Sequence, residues 1–147
     1  AICDADISEA ERFRCCRILS GAAGITGICG GQFMDLNGGD TDAEKLSATD
    51  LGKTASLMGA ACAMGAASAG AGEELIAGAE AFGMALGMAF QCRDDILDGD
   101  GFCALLGQEK CAALTEMYTE KALELLSVFP DTSFLRELTG YLSGREV

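Results

Sequence analysis

Four aspartates crowd the stretch FQCRDDILDGDG, Phe90 to Gly101: Asp94, Asp95, Asp98 and Asp100. They follow the uncharged run AFGMALGMAF, which offers nothing to answer them. On a helix Asp94 and Asp98 stand four apart on one face, where like charges cost roughly a few tenths of a kcal/mol. Projection at about 100° per residue puts Gln91, Asp94, Asp95 and Asp98 within one arc of about 100°. Continued backwards, the same stripe meets Met88, Gly87 and Met84, so polar ligands give way to a flexible apolar strip. That pattern fits an amphipathic substrate with a charged head and a hydrocarbon tail. Carboxylates without His or thiolate company select hard cations, Mg²⁺ before Zn²⁺, and Mg²⁺ is usually held by one or two carboxylates plus phosphate oxygens. The competing reading is a solvated acidic helix end, although acids in a last turn oppose the macrodipole. Spacing alone leaves both open.

The DGDG string does not make a calcium loop. With Gly101 in the obligatory glycine place, Ile96 takes the first ligand position and Gly107 the place of the bidentate Glu; with Gly99 there, that place falls to Leu105. A second anion feature is DLGKT, Asp50 to Thr54. It is not a P-loop, because Ser47 stands where the first glycine belongs and no strand precedes it. Asp50 is instead expected to cap a helix beginning at Leu51. Lys53 and Thr54 would then lie in its first turn, where free amides and the dipole favour phosphate. A lone surface lysine is the competing reading. The third feature is GGQFMDL, Gly30 to Leu36, with Gln32 and Asp35 three apart on one helix face. Taken alone, Asp35 reads equally well as a surface acid.

The composition says what kind of scaffold must hold these groups. The 147 residues suffice for one domain with a real core. Half are hydrophobic, yet aromatics make only 6% and Trp is absent, so Ala, Leu, Met and Cys must supply the core, beside 20 Gly and the single Pro130. Such a chain favours an all-α fold. The net charge of −13, with only Arg12, Arg14 and Arg17 clustered, argues against direct partnership with nucleic acid or an anionic membrane. An anionic substrate stays open if cations carry it. The absence of His excludes His-based triads and His–zinc sites. The eight cysteines form no CxxC, and with no signal-peptide pattern at the start they are expected as buried free thiols in a reducing cytosol. The uncharged stretch 54–72 is long enough to be mistaken for a membrane span, but it is mostly Ala, Gly and Ser. It reads as a helix buried among helices.

Several elements follow from local signals. Ser8 with Glu11 predicts a capping box opening a helix to about Ala23. The glycines at 21, 24, 27, 30 and 31 either admit a close helix or break this one in two. LNGGD, Leu36 to Asp40, predicts a turn. A further break at Gly70–Gly72 precedes a long helix from Glu73 to about Asp98, after which GDG and its successors predict a loop. Helices from about Glu109 to Phe129 and Thr132 to Ser143 complete the chain.

GGQFMDL, then GKTASL, then GMALGMAFQCRDDILD, in that order, resembles the C-terminal half of the trans-isoprenyl diphosphate synthases, the polyprenyl synthetase family of farnesyl and geranylgeranyl diphosphate synthases. FQxxDDxxD is that family's second aspartate-rich motif. The resemblance covers most of Ser8 to Asp98, and the helix ending near SGRE is similar to the family's C-terminal helix. It implies an isoprenoid synthase-type helical bundle around a central cavity, with residues 1–147 as a single domain forming its C-terminal portion. It also implies a cytoplasmic, dimeric prenyltransferase of isoprenoid biosynthesis without stable membrane insertion, acting on allylic and isopentenyl diphosphates with Mg²⁺. By resemblance Asp94, Asp95 and Asp98 hold Mg²⁺ against the allylic diphosphate and Lys53 contacts that diphosphate. Thr54, Gln32, Gln91 and Asp35 line the reacting end, with Phe90 beside it.

Family members run to about twice this length. Their first motif, DDxxD, lies upstream; here Asp94–Asp95 is the only Asp pair. The family's lysine-bearing loop after the second motif is missing as well, since GDG runs straight into FCALLGQEK. The expectation is therefore a chain that does not condense prenyl diphosphates alone, and whose apolar face is covered by an N-terminal half, a second copy or a partner. The alternatives are a non-catalytic partner or remnant with a structural role, and a stand-alone acidic cation binder.

Overall fold

Long runs of Ala, Leu and Gly with few β-branched residues leave helix as the favoured backbone state. In the computed structural model, which describes residues 1–38 and 42–146, the described residues contain no strand. A 3₁₀ turn (Ile2–Asp4) leads to α1 (Glu9–Ala23), α2 (Ile28–Asn37), α3 (Ala43–Asp50), a π-turn (Leu51–Ala55) and α4 (Ser56–Ser68). Then come α5 (Glu73–Asp98), α6 (Gly101–Leu106), α7 (Gln108–Leu125), a 3₁₀ turn (Leu126–Val128) and α8 (Ser133–Gly144). The all-α expectation holds. The predicted LNGGD turn falls partly outside the described residues.

The capping box at Ser8 is present in full: Ser8 Oγ accepts from the Glu11 N–H and Glu11 Oε2 accepts from the Ser8 N–H, at 3.3 and 2.8 Å. The glycine run does both things expected of it. It ends α1 at Gly24, and at Gly31 it lets another backbone approach. Gly72 opens α5, and its far end is closed by Gly99 in the left-handed region at φ 73°.

Two expectations are corrected. Asp50 does not cap a helix at Leu51. Asp42 caps eight residues earlier, its carboxylate accepting from the Lys45 N–H at 2.9 Å, and Asp50 and Leu51 are both helical, so the chain stays helical from Ala43 to Ser68. Lys53 and Thr54 thus lie inside a helix, where amides are already bonded, and the free-amide argument for phosphate lapses. The stretch after GDG is not a loop either. The side chain of Asp95 accepts from the Phe102 N–H at 2.7 Å and starts α6, which drops Phe102 into the core.

α5 is the axis of the molecule, packed chiefly against α4 and α7 and also touching α6, α8 and the π-turn. One cluster joins Leu46, Ala55, Met88, Cys92, Phe102 and Cys111; a second joins Phe82, Ala85, Leu86, Ala122 and Leu126. A third holds α1 through Cys15 against Ala63, Ala67 and Ile76. Fully buried side chains such as Phe82 and Leu126 contribute roughly 1.5–3 kcal/mol each. The small residues do bring helices together: a Cβ on Gly83 would stand 2.5 Å from the Met58 carbonyl oxygen. Glu73–Asp98 is long and apolar enough by composition to cross a membrane, but 56% of its apolar window is buried inside the protein, as in a core helix. The uncharged stretch 54–72 packs against α1 and α5, burying Ala60, Ala63 and Ala67.

The cysteines are free, and burial pushes the Cys92 thiol up to about 12 and the Cys111 thiol up to about 11. Such thiols are inert at neutral pH. The expectation of burial fails at Cys3 and Cys29, which are exposed. The apolar strip expected on α5 is largely packed into the core. Gly87 lies against Ala55 and Met88 is 1% exposed, lining with Met84 a small cavity of about 190 Å³, while Met84 also borders one of about 380 Å³ with Arg17, Ile18, Thr26, Ser56 and Glu80.

Candidate functional site

The π-turn is where most of the expected residues meet. The Ser56 N–H reaches back to the Leu51 carbonyl, one residue further than in an α-helix. Isolated π-turns inside helices occur frequently at functional sites. Here the wider turn sends Lys53 towards α2 and Thr54 towards α5.

On the α2 side, Lys53 Nζ lies 3.0 Å from Asp35 Oδ2, and Gln32 Nε2 donates to the same oxygen at 3.2 Å. Burial alone would push the Lys53 ammonium down. The hydrogen bond and charge of Asp35, with the fields of Asp50 and Asp100, outweigh it, so its pKa lies above the ordinary 10.5. On the α5 side, Thr54 Oγ1 donates to Gln91 Oε1 at 2.8 Å, and Gln91 Nε2 donates to Asp95 Oδ1 at 2.9 Å. The other oxygen of Asp95 takes the Phe102 N–H. Asp95 is only 2% exposed; burial pushes its carboxyl above the ordinary value, against the pull of those two hydrogen bonds.

The three aspartates share a helix arc but not a focus. Asp94 pairs with the Arg145 guanidinium, Asp95 points inward, and Asp98 stands exposed at the end of α5. Among the described residues no three Cys, Asp or Glu side chains converge closely enough to hold a metal ion. The convergence on one ion that the resemblance implies for these three carboxylates is not what the side chains show.

Arg145 is the participant that sequence reasoning missed. Leaving α8 in an extended conformation, it stacks over the Phe90 ring at 4.1 Å from the centroid. Its carbonyl accepts from Arg93 Nε at 2.7 Å, which pins the backbone across the end of α5. The only signal in the sequence was a cation just past a helix-ending glycine. Asp100, whose field acts on both Lys53 and Asp95, is a second group that spacing placed nearby but gave no role.

The Polyprenyl synthetase family pattern matches residues 3–120. The chain belongs to the polyprenyl synthetase family. It is 37% identical over 110 residues to the farnesyl diphosphate synthase of Escherichia coli K12, an alignment covering 73% of this chain and 37% of that enzyme. Its fold is similar to a crystal structure of geranyltransferase from Helicobacter pylori, with a TM-score of 0.82 and 28% identity over 97% of this chain and 53% of the other. It is also similar to that enzyme complexed with magnesium and isoprenyl diphosphate, at TM-score 0.80 and 26% identity. This polyprenyl synthetase chain thus spans about half the length of those structures and about a third of the E. coli relative.

Proposed function

We propose that this chain supplies the C-terminal portion of a trans-isoprenyl diphosphate synthase, the part that grips the allylic diphosphate through its second aspartate-rich motif. The observation that carries the reading is the pair of hydrogen-bonded networks on the π-turn, which hold Lys53 and Thr54 beside Gln91 and the aspartate-rich end of α5.

Asp94 already carries a positive group, the Arg145 guanidinium, where a cation would stand, and Asp98 lies one turn on with its carboxylate in solvent. Two oxygen ligands plus phosphate oxygens and waters suit Mg²⁺. Asp94 and Asp98 would hold it, with Asp95 bracing them from within, since both of its oxygens already accept protein hydrogen bonds. When bound, the ion would supply Lewis-acid neutralisation of charge on the departing diphosphate.

The chain's own groups do the rest. Lys53, kept fully protonated, places a positive charge against the diphosphate as charge develops there. Thr54 and Gln91, fixed to each other, orient the reacting end, with Gln32 and Asp35 holding Lys53 in place and Phe90 forming its apolar side. The allylic cation left by diphosphate departure is attacked by the double bond of isopentenyl diphosphate, and proton loss completes the longer trans-polyprenyl diphosphate. A soluble cytoplasmic synthase is the setting we infer, completed by a chain or segment carrying the first aspartate-rich motif, or by dimerisation.

One observation favours a second reading, a non-catalytic subunit or remnant: Asp95 is committed to starting α6, and the aspartates do not converge. A condensation assay with dimethylallyl and isopentenyl diphosphates separates the two. The chain alone is expected to give no product, and addition of a polypeptide carrying the DDxxD half is expected to restore condensation. Turnover by the homogeneous 147-residue chain would overturn the half-site reading.

A further inference from the structure

The two hydrogen-bonded networks share a geometric rule. A Cβ on Gly31 of α2 would stand 2.1 Å from the Lys53 nitrogen and 2.5 Å from the Gly52 carbonyl carbon. A Cβ on Gly87 of α5 would stand 2.6 Å from the Ala55 Cα. Real Cβ atoms essentially never approach another heavy atom within 3.0 Å, so each crossing exists only because glycine is there. The π-turn is clamped between these two bare patches of backbone.

One helical turn after each glycine comes the partner of a π-turn side chain. Residues four apart lie one above the other on a helix face, about 6 Å along the axis. Gly31 plus four is Asp35, which binds Lys53; Gly87 plus four is Gln91, which accepts from Thr54. Contact of the backbones at the glycine brings the two helices close enough for the short side chains of Asp35 and Thr54 to close their bonds one turn on. We infer that Gly31 and Gly87 are positioning residues, Gly31 for the Lys53–Asp35 pair and Gly87 for the Thr54–Gln91 pair. The importance of those pairs for diphosphate rests on the function proposed above; the positioning itself does not.

The experiment is NMR on protein labelled at lysine side chains and glutamine amides, with Lys53 assigned through Lys53→Gln. In the starting protein the Lys53 ammonium titrates above 10.5. Gly31→Ala lowers that pKa and leaves the Gln91 amide signal in place, while Gly87→Ala shifts the Gln91 amide and leaves Lys53 unchanged. Gly21→Ala, with nothing within 4 Å of its added carbon, moves neither. On an Asp35→Asn background, Gly31→Ala lowers the Lys53 pKa no further, because the pair it would break is already gone. Should Gly31→Ala fail to fold, Gly52→Ala replaces it. Its Cβ would stand 3.0 Å from the Gly31 Cα, demands a shift of only a few tenths of an ångström, and gives the same effect in smaller measure.

A folded Gly31→Ala or Gly52→Ala protein with an unaltered Lys53 pKa would overturn the inference, as would variants that disturb both pairs equally. Calorimetry with Mg²⁺ and inorganic pyrophosphate tests the underlying function separately. Gly31→Ala is expected to weaken binding about tenfold, the size of one lost charge-assisted hydrogen bond. A shifted pKa with unchanged affinity would uphold the positioning and count against the diphosphate role of Lys53.

Discussion

Lys53 is the residue whose surroundings speak most clearly. It is a half-buried ammonium, which burial alone would neutralise more readily, yet Asp35 holds it charged. A folded pKa raised above 10.5 contributes stability that is fully present below 10.5 and is lost as the pH rises through the folded value. Asp35→Asn is therefore expected to lower the Lys53 pKa, read by lysine-detected NMR, and to lose stability at neutral pH but not above the raised pKa. Arg145 gives the second prediction at this scale. Its pair with Asp94 is partly exposed, and such pairs contribute about 0.2–1 kcal/mol. If the guanidinium and a divalent ion compete for Asp94, Arg145→Ala tightens Mn²⁺ binding, followed by electron paramagnetic resonance, about two- to fivefold. Binding that weakens instead would show that Arg145 supports the ion rather than standing in its place.

The elements differ in how openly the sequence declares them. α1 is announced by Ser8 and Glu11, and α5 by Gly72, an unbroken apolar run and Gly99. These signals are local, so they can be read from a string of letters. The capping box also carries the third prediction: Ser8→Ala costs about 1 kcal/mol, measured by urea denaturation, by leaving an amide of the first turn without its acceptor. The π-turn and α6 were illegible because their causes are distant. The π-turn packs into glycine gaps on two other helices, and α6 starts on the side chain of Asp95, seven residues before Phe102. Asp50 looked like a cap because it precedes an alanine-rich run, but Asp42 had already opened that helix. The same limit applies to the site. Periodicity put Gln91, Asp94, Asp95 and Asp98 on one arc, while Arg145 turned the Asp94 carboxylate and the distant Phe102 amide helped turn that of Asp95, and a helical projection weighs neither.

At the scale of the whole molecule, the half-site proposed above requires an apolar face that other helices can cover. Phe13, Ile25, Phe33 and Leu36 are 73%, 87%, 67% and 75% exposed on α1, α2 and the turn between them. Large apolar side chains left bare in this way fit a surface that other helices cover, as does the match of 97% of this chain to only 53% of a solved neighbour. The proposed role requires that this half grip a diphosphate through a cation. Titration calorimetry of dimethylallyl thiolodiphosphate, a non-reacting allylic diphosphate, into the chain with and without Mg²⁺ tests this directly. The expected result is saturable binding that requires Mg²⁺ and weakens about tenfold in both Asp98→Asn and Lys53→Gln, the loss of one charged contact each. Absence of Mg²⁺-dependent binding, or equal binding by both variants, would contradict it.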